Sequence, residues 1–273
     1  MRRINVVSLT ACGIVILTAC QALAAQAALS VARLSAVERG SLTTEPASSA
    51  NSLAAVIEKL LQAEREMRES FNHHSFEREV VIQTIGASGE TNGQYIRRSK
   101  FILDDKGNRV EKVLFHPAST LQGIKISRED VQDLAGTQLI GWDLWDSSKH
   151  VFRYAGQQTV HGRMALAIDV LPAQTPDPHR MRERYFVGRL WLDADTYRIF
   201  LIQGRTEPQG KQRFPRFETR RAIVSGPHLF PIDTRADDVL TFPGRTVRIR
   251  VSVRFYNYRR FGSTVKITEV DEP

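Results

Sequence analysis

Cysteine is almost missing from this sequence. There are two in 273 residues, Cys12 and Cys20, and both lie close to the start. The remainder of the chain has neither a disulfide nor a thiol nucleophile, so its stability has to come from a packed core, which a chain of this length can supply. The sequence patterns of familiar enzymes are missing too: there is no G-x-S-x-G, no P-loop, no G-x-G-x-x-G and no H-E-x-x-H. The seven His are scattered, and His73-His74 is the one cluster. Adjacent positions on a helix do not face each other, so this pair reads as a solvated helix end and not as a metal site. These absences argue against an enzyme, and no catalytic residue, metal or cofactor is expected.

What is present is a globular composition, 42% hydrophobic and 25% charged, with a formal net charge of +8. The basic residues mostly alternate with apolar ones and form no continuous run, so nucleic acid is not the expected partner. The opening "MRRINVVSLTACGIVILTACQALAAQA" has Arg2 and Arg3, then an uncharged apolar stretch, then small residues. It reads as a bacterial export signal over residues 1–24. Two cleavage readings fit. Ala22-Leu23-Ala24 suits release of a soluble periplasmic protein, whereas Leu17-Thr18-Ala19-Cys20 resembles a lipobox that would leave Cys20 lipidated and the protein anchored to the outer membrane. Residues 25–50, rich in Ala, Ser and Thr, read as a flexible tether, and residues 51–273 as one domain.

At Asn51 the pattern turns helical. Leu53, Val56, Ile57, Leu60, Leu61, Met67 and Phe71 recur on one face over residues 51–71. From Phe76 onward strands dominate. Residues 76–86, 94–105 and 109–117 read as three strands, with the first turn at Asn92-Gly93 and the second at Lys106-Gly107-Asn108. Ser127 is placed to cap a short second helix. Residues 150–172 read as a hairpin whose turn is flanked by Gly156 and Gly162, with Met164, Leu166, Ile168 and Val170 on one face. "TPDPHRMRER" is a loop. Residues 186–205 form another hairpin, with Leu190 and Leu192 before the turn Asp193-Ala194-Asp195-Thr196. Aspartate side chains bond their own backbone in such turns, so Asp193 and Asp195 are expected to be structural and not a carboxylate pair. Along 247–258, Val247, Ile249, Val251, Val253 and Phe255 point one way and Arg248, Arg250 and Arg254 the other. That basic row is either a solvated face or a contact for anionic head groups or an acidic partner. Trp142, Trp145 and Trp191 fit ligand platforms or simple packing equally well.

The chain is therefore expected to be mainly β (α+β), with roughly nine or more antiparallel strands in a long curved sheet and few helices. The apolar face of that sheet needs a cover, which the helix at 51–71 supplies. An exported chain with a leading amphipathic helix, a long antiparallel sheet and the hairpin Gly188-x-x-Trp191-x-Asp193-x-x-Thr196-x-x-Ile199 resembles the bacterial outer-membrane lipoprotein-sorting family (LolA/LolB-like). The resemblance implies a half-open β-barrel closed by helices over an apolar cavity that takes up acyl chains. The expected lining is Leu53, Val56, Ile57, Leu60, Met164, Leu166, Ile168, Leu190, Leu192, Val251, Val253 and Phe255. The expected function is a periplasmic carrier that binds acyl chains of lipids or lipoproteins, with membrane contact. A sensor or scaffold domain for an envelope protein partner is the alternative, and an enzyme acting on envelope lipids or sugars comes third.

Overall fold

The structure is a computed structural model, and it describes residues 47–127, 130, 147–177, 185–209 and 213–261. A helix, α1 (Ala47–Asn72), leads into ten strands: β1 (His74–Ile85), β2 (Thr91–Leu103), β3 (Arg109–Phe115), β4 (His150–Val160), β5 (Arg163–Pro172), β6 (Tyr185–Asp193), β7 (Ile199–Glu207), β8 (Phe217–Ser225), β9 (His228–Phe242) and β10 (Arg245–Arg260). Every pairing is antiparallel. The strands form one curved, open sheet in the order β3-β2-β1-β10-β9-β8-β7-β6-β5-β4, with β3 and β4 at its edges. The expected class, a long antiparallel sheet with a helix on it, is what the structure has. Of the expected second helix, only Ser127 and Asp130 lie within the described residues. There Ser127 Oγ accepts the N–H of Asp130 at 3.1 Å while the Asp130 carboxylate accepts the N–H of Ser127 at 2.8 Å, a reciprocal cap.

Three local expectations need correction. The helix begins at Ala47, so the last four residues assigned to the tether are helical. The first turn is not Asn92-Gly93. The chain reverses over Gly86–Glu90, where Gly89 takes a φ of 89° and Gly86 N–H donates to Glu90 O at 2.8 Å. Glu90 fixes this turn from its side chain, accepting the N–H of Ser88 at 3.1 Å and the Ser88 hydroxyl. Gly93 lies inside β2 opposite Thr84 and is glycine for a different reason: a Cβ there would stand 2.3 Å from Thr120 O, because the segment after β3 crosses it. Gly156 likewise sits within β4, at a φ of 97°, where the register against β5 shifts between Tyr154 and Gln157. It marks a bulge. The turn itself is His161-Gly162, with φ of 50° and 77°, the positive pair that a two-residue hairpin requires.

One face of the sheet is apolar and lies under α1. Leu60, Met67 and Phe71 join Val80, Ile82, Leu166, Ile168, Val170, Leu190, Leu192, Ile202, Val251, Val253 and Phe255 in a single cluster. The other face is not uniformly polar. At the β5–β7 end it carries a second, smaller apolar cluster built on Ala165, Ala167, Trp191, Phe200, Leu201 and Leu229. The strand pair between these faces is pinned at Gly188 and Gly204, which lie opposite each other. A Cβ at Gly188 would come within 2.1 Å of Gln203 O, and one at Gly204 within 2.5 Å of Val187 O. Only residues without a side chain let β6 and β7 approach so closely.

Candidate functional site: the apolar face beneath the helix

The helix covers the apolar face unevenly. Over its second half the contact is sealed: Leu60 and Phe71 are fully buried and Met67 nearly so. Over its first half Leu53, Val56 and Ile57 pack on the same cluster but stay half-exposed. Beside them, Lys59 spans to β7's approach, its ammonium 4.5 Å from the centre of the Tyr197 ring and 3.5 Å from the hydroxyl. Further half-buried apolar groups, among them Leu121, Ile124, Phe152 and Val247, also pack on the cluster.

Of the residues expected to line a cavity, Leu60, Leu166, Ile168, Leu190, Leu192, Val251, Val253 and Phe255 are all buried in this one cluster, with Leu53, Val56 and Ile57 at its half-exposed margin. Met164 stands apart. It is 54% exposed, because it follows directly on the His161-Gly162 turn and lies beyond the covered part of β5.

The sequence reading missed a set of charged and polar groups buried on the same face. Glu64 occupies the apolar stripe of α1, four residues after Leu60 and three before Met67, and Arg221 Nη1 donates to its Oε1 at 2.6 Å. The two side chains are 3% and 0% exposed. His74, read as a solvated helix end, is 2% exposed. Its Nδ1 lies 2.7 Å from Ser70 O, and its ring packs against Phe230 with centroids 4.9 Å apart. Arg109 lies across the Phe71 ring, 4.5 Å from its centre, and donates to Phe71 O at 2.7 Å. Tyr258 donates to Pro231 O at 2.7 Å, and burial pushes its hydroxyl pKa well up, so it acts as a neutral donor. Towards the β3 edge, Glu111 accepts both Arg97 nitrogens at 3.0 Å and the Ser99 hydroxyl at 2.5 Å, with buried Arg78 3.8 Å away. Arg78 sits in step with Phe76, Val80 and Ile82 in the apolar alternation of β1, and for that residue the step was the available signal.

The hairpin that carries the family resemblance is built as its letters suggest. Asp193 Oδ1 accepts from the backbone of Asp195 at 3.2 Å, and from the backbone and hydroxyl of Thr196 at 2.9 Å each. Burial pushes this carboxyl up, but the bonds from Thr196 and Asp195 outweigh it and hold it below the ordinary aspartate value. Ile199 is fully buried. Asp193→Ala is expected to cost about 1–2 kcal/mol, whereas Asn, which keeps the acceptor oxygen, changes little. Because the folded-state pKa is depressed, the carboxylate's contribution is present above roughly pH 4. It fades as pH falls through the lower folded value. Urea melts of both variants at neutral and acid pH measure this.

Among the described residues no group of three His, Cys, Asp or Glu is disposed to hold a metal, and no helix is long and apolar enough to cross a membrane. No protein-family model and no curated protein matches the sequence. Solved structures do. The chain is similar to a DUF1329 family protein from Desulfovibrio piger, at 14% identity and a TM-score of 0.37 over 74% of this chain and 92% of that one. It is also similar to a LolA superfamily protein from Nitrosomonas europaea, at 9% identity and a TM-score of 0.34 over 74% and 92%. A third is an outer membrane lipoprotein-sorting protein domain from Vibrio parahaemolyticus, at 10% identity and a TM-score of 0.34 over 79% and 95%.

Proposed function

We propose that this protein binds acyl chains of lipids or lipoproteins in the bacterial periplasm. On this reading it is exported by residues 1–24 and either released after Ala24 or anchored at Cys20. The observation that supports this most is the uneven cover of the apolar face. A helix sealed from Leu60 to Phe71 but half-exposed at Leu53, Val56 and Ile57 is fixed at one end and leaves an apolar margin at the other. A chain sliding in beneath that margin gains roughly 0.8 kcal/mol for each CH₂ removed from water. The surface needs no directional contact to do this, so its selectivity is for apolar length and not for one head group. The buried Glu64–Arg221 pair holds the sealed half in place while the first half yields.

Ile57→Glu is the discriminating variant. A carboxylate at the margin opposes entry of an acyl chain, because an ion left unpaired beside hydrocarbon is costly. Uptake of a fluorescent fatty acid is expected to fall about tenfold or more, a change of ~1.4 kcal/mol. Ala55→Glu, on the exposed side of α1, is expected to leave it unchanged. Absence of uptake by the wild type, or equal loss in both variants, overturns the reading. Native mass spectrometry of protein recovered from the envelope identifies the bound lipid or acylated peptide.

A further inference from the structure

The face of the sheet that turns away from α1 carries a groove of about 1270 Å³. It runs across the strands from β4 to β1, and no apolar-chain function uses it. Seven arginines line it (Arg153, Arg189, Arg205, Arg216, Arg235, Arg250 and Arg254), against four carboxylates (Glu79, Asp169, Glu218 and Asp237). Most of the arginines are already engaged. Arg189 grips Asp169 through two bonds at 2.6 and 2.9 Å, Arg250 reaches Asp237 at 3.3 Å, and Arg254 reaches Glu79 at 2.5 Å. Arg153 and Arg216 also line the groove but differ. Arg153 stands opposite Asp169, whose two oxygens Arg189 already holds, and Arg216 donates only its backbone N–H to Asp238, at 2.8 Å, so among the described residues neither guanidinium is in an ion pair. A third donor without a partner belongs to a residue of the lining. Trp191 also lines the groove and is 8% exposed, yet its indole N–H has no acceptor among the described residues. A buried donor of this kind calls for a partner.

We infer that this groove docks an acidic segment of a protein partner, with Arg153 and Arg216 taking its carboxylates and the Trp191 N–H taking a backbone carbonyl or a carboxylate oxygen. The composition of the floor selects the kind of anion. Four carboxylates set among the arginines repel a uniformly anionic surface or polymer, and a flat bilayer does not enter a trough. A polypeptide whose acidic residues are spaced by apolar ones meets both halves of the lining. Its carboxylates fall on the free guanidinium groups, which suit bidentate recognition. Its apolar residues fall on Val81, Leu171 and Val187. The engaged arginines serve as a rigid frame, since each is held by an acid: Arg189 by Asp169, Arg250 by Asp237 (shared with Arg248) and Arg254 by Glu79 (shared with Arg98). The inference is independent of acyl-chain binding, which belongs to the opposite face.

The test uses the purified full chain and a short fluorescent peptide alternating Glu and Val, followed by anisotropy and by Trp fluorescence. Controls are the same peptide with Lys for Glu, poly-glutamate, and vesicles of phosphatidylglycerol. The acidic peptide is expected to bind, to lose affinity as salt rises, and to shift Trp emission. The Lys peptide, the polyanion and the vesicles are expected to bind more weakly. The double variant Arg153→Gln/Arg216→Gln is expected to weaken the peptide about tenfold or more. Lys112→Glu, on the exposed β3 edge outside the groove, should not. An unchanged thermal midpoint for both variants shows that the fold is intact, and Trp191→Phe, which keeps the ring and removes the N–H, is expected to weaken binding without loss of fold. Equal affinity in wild type and the double variant, no peptide binding at all, or tighter binding of the vesicles or the polyanion overturns the inference.

Discussion

Glu64→Ala is expected to destabilise the protein by about 3–5 kcal/mol, the range for a buried ion pair that loses one member. Arg221 has no exposed side-chain surface and its Nη1 donates to Glu64. Its Nε and Nη2 have no other acceptor among the described residues. Without Glu64 the guanidinium stays in the core with nothing opposite it, and β8 cannot turn the side chain out without breaking its pairing with β7 and β9. The pair is not itself a strong source of stability, because both ions were taken out of water to make it. That asymmetry gives a second arm to the experiment. Glu64→Leu with Arg221→Met is expected to recover most of the loss, since it removes both desolvation costs and keeps the volume. Denaturant melts of the single and double variants decide it. If the double variant is as unstable as the single one, the pair matters for packing shape and not for charge.

The same residues show where the sequence was legible. The alternation of Val247 to Phe255 told which face is buried because each odd residue is aliphatic or aromatic and each Arg is even, and the structure pairs those Arg with Asp237 and Glu79. The turn at Asp193 was legible because its chemistry is local: one carboxylate bonds atoms two and three residues on. The first turn of the sheet was not, since two glycine sites compete, and the choice between them depends on a distant segment near Thr120 that crowds Gly93. Buried charge was the hardest to read. Glu64 and Arg221 are 157 positions apart in the chain, and each looks like an ordinary surface residue until its partner is known. The groove on the far face was illegible for a related reason. Its basic character comes from seven arginines spread over five strands and the segment before β8, one each on β4, β6, β7 and β9 and two on β10, and strand order alone brings them together.

Phe71→Ala is expected to cost about 3–5 kcal/mol, as for other large-to-small changes of a fully buried ring. For a domain of this size that lowers the melting temperature by roughly 10 °C. Phe71 ends the buried stripe of α1 and is the point where the helix joins the sheet. Its ring meets Phe76 of β1 at 5.1 Å, Phe230 of β9 at 5.7 Å and Tyr258 of β10 at 6.2 Å. Arg109 of β3 covers its remaining side. Truncation removes an apolar group from four strands at once. It also leaves the Arg109 guanidinium, already pushed down in pKa by burial, without the ring face that compensates its partial desolvation. Phe71→Leu keeps most of the volume and is expected to cost about half as much. If acyl chains enter at the half-exposed end of the helix, this loss of stability should come with easier entry, because the fixed end has loosened. Fluorescent fatty acid should then bind Phe71→Leu faster than the wild type. Equal rates would show that the far end of the helix does not limit entry.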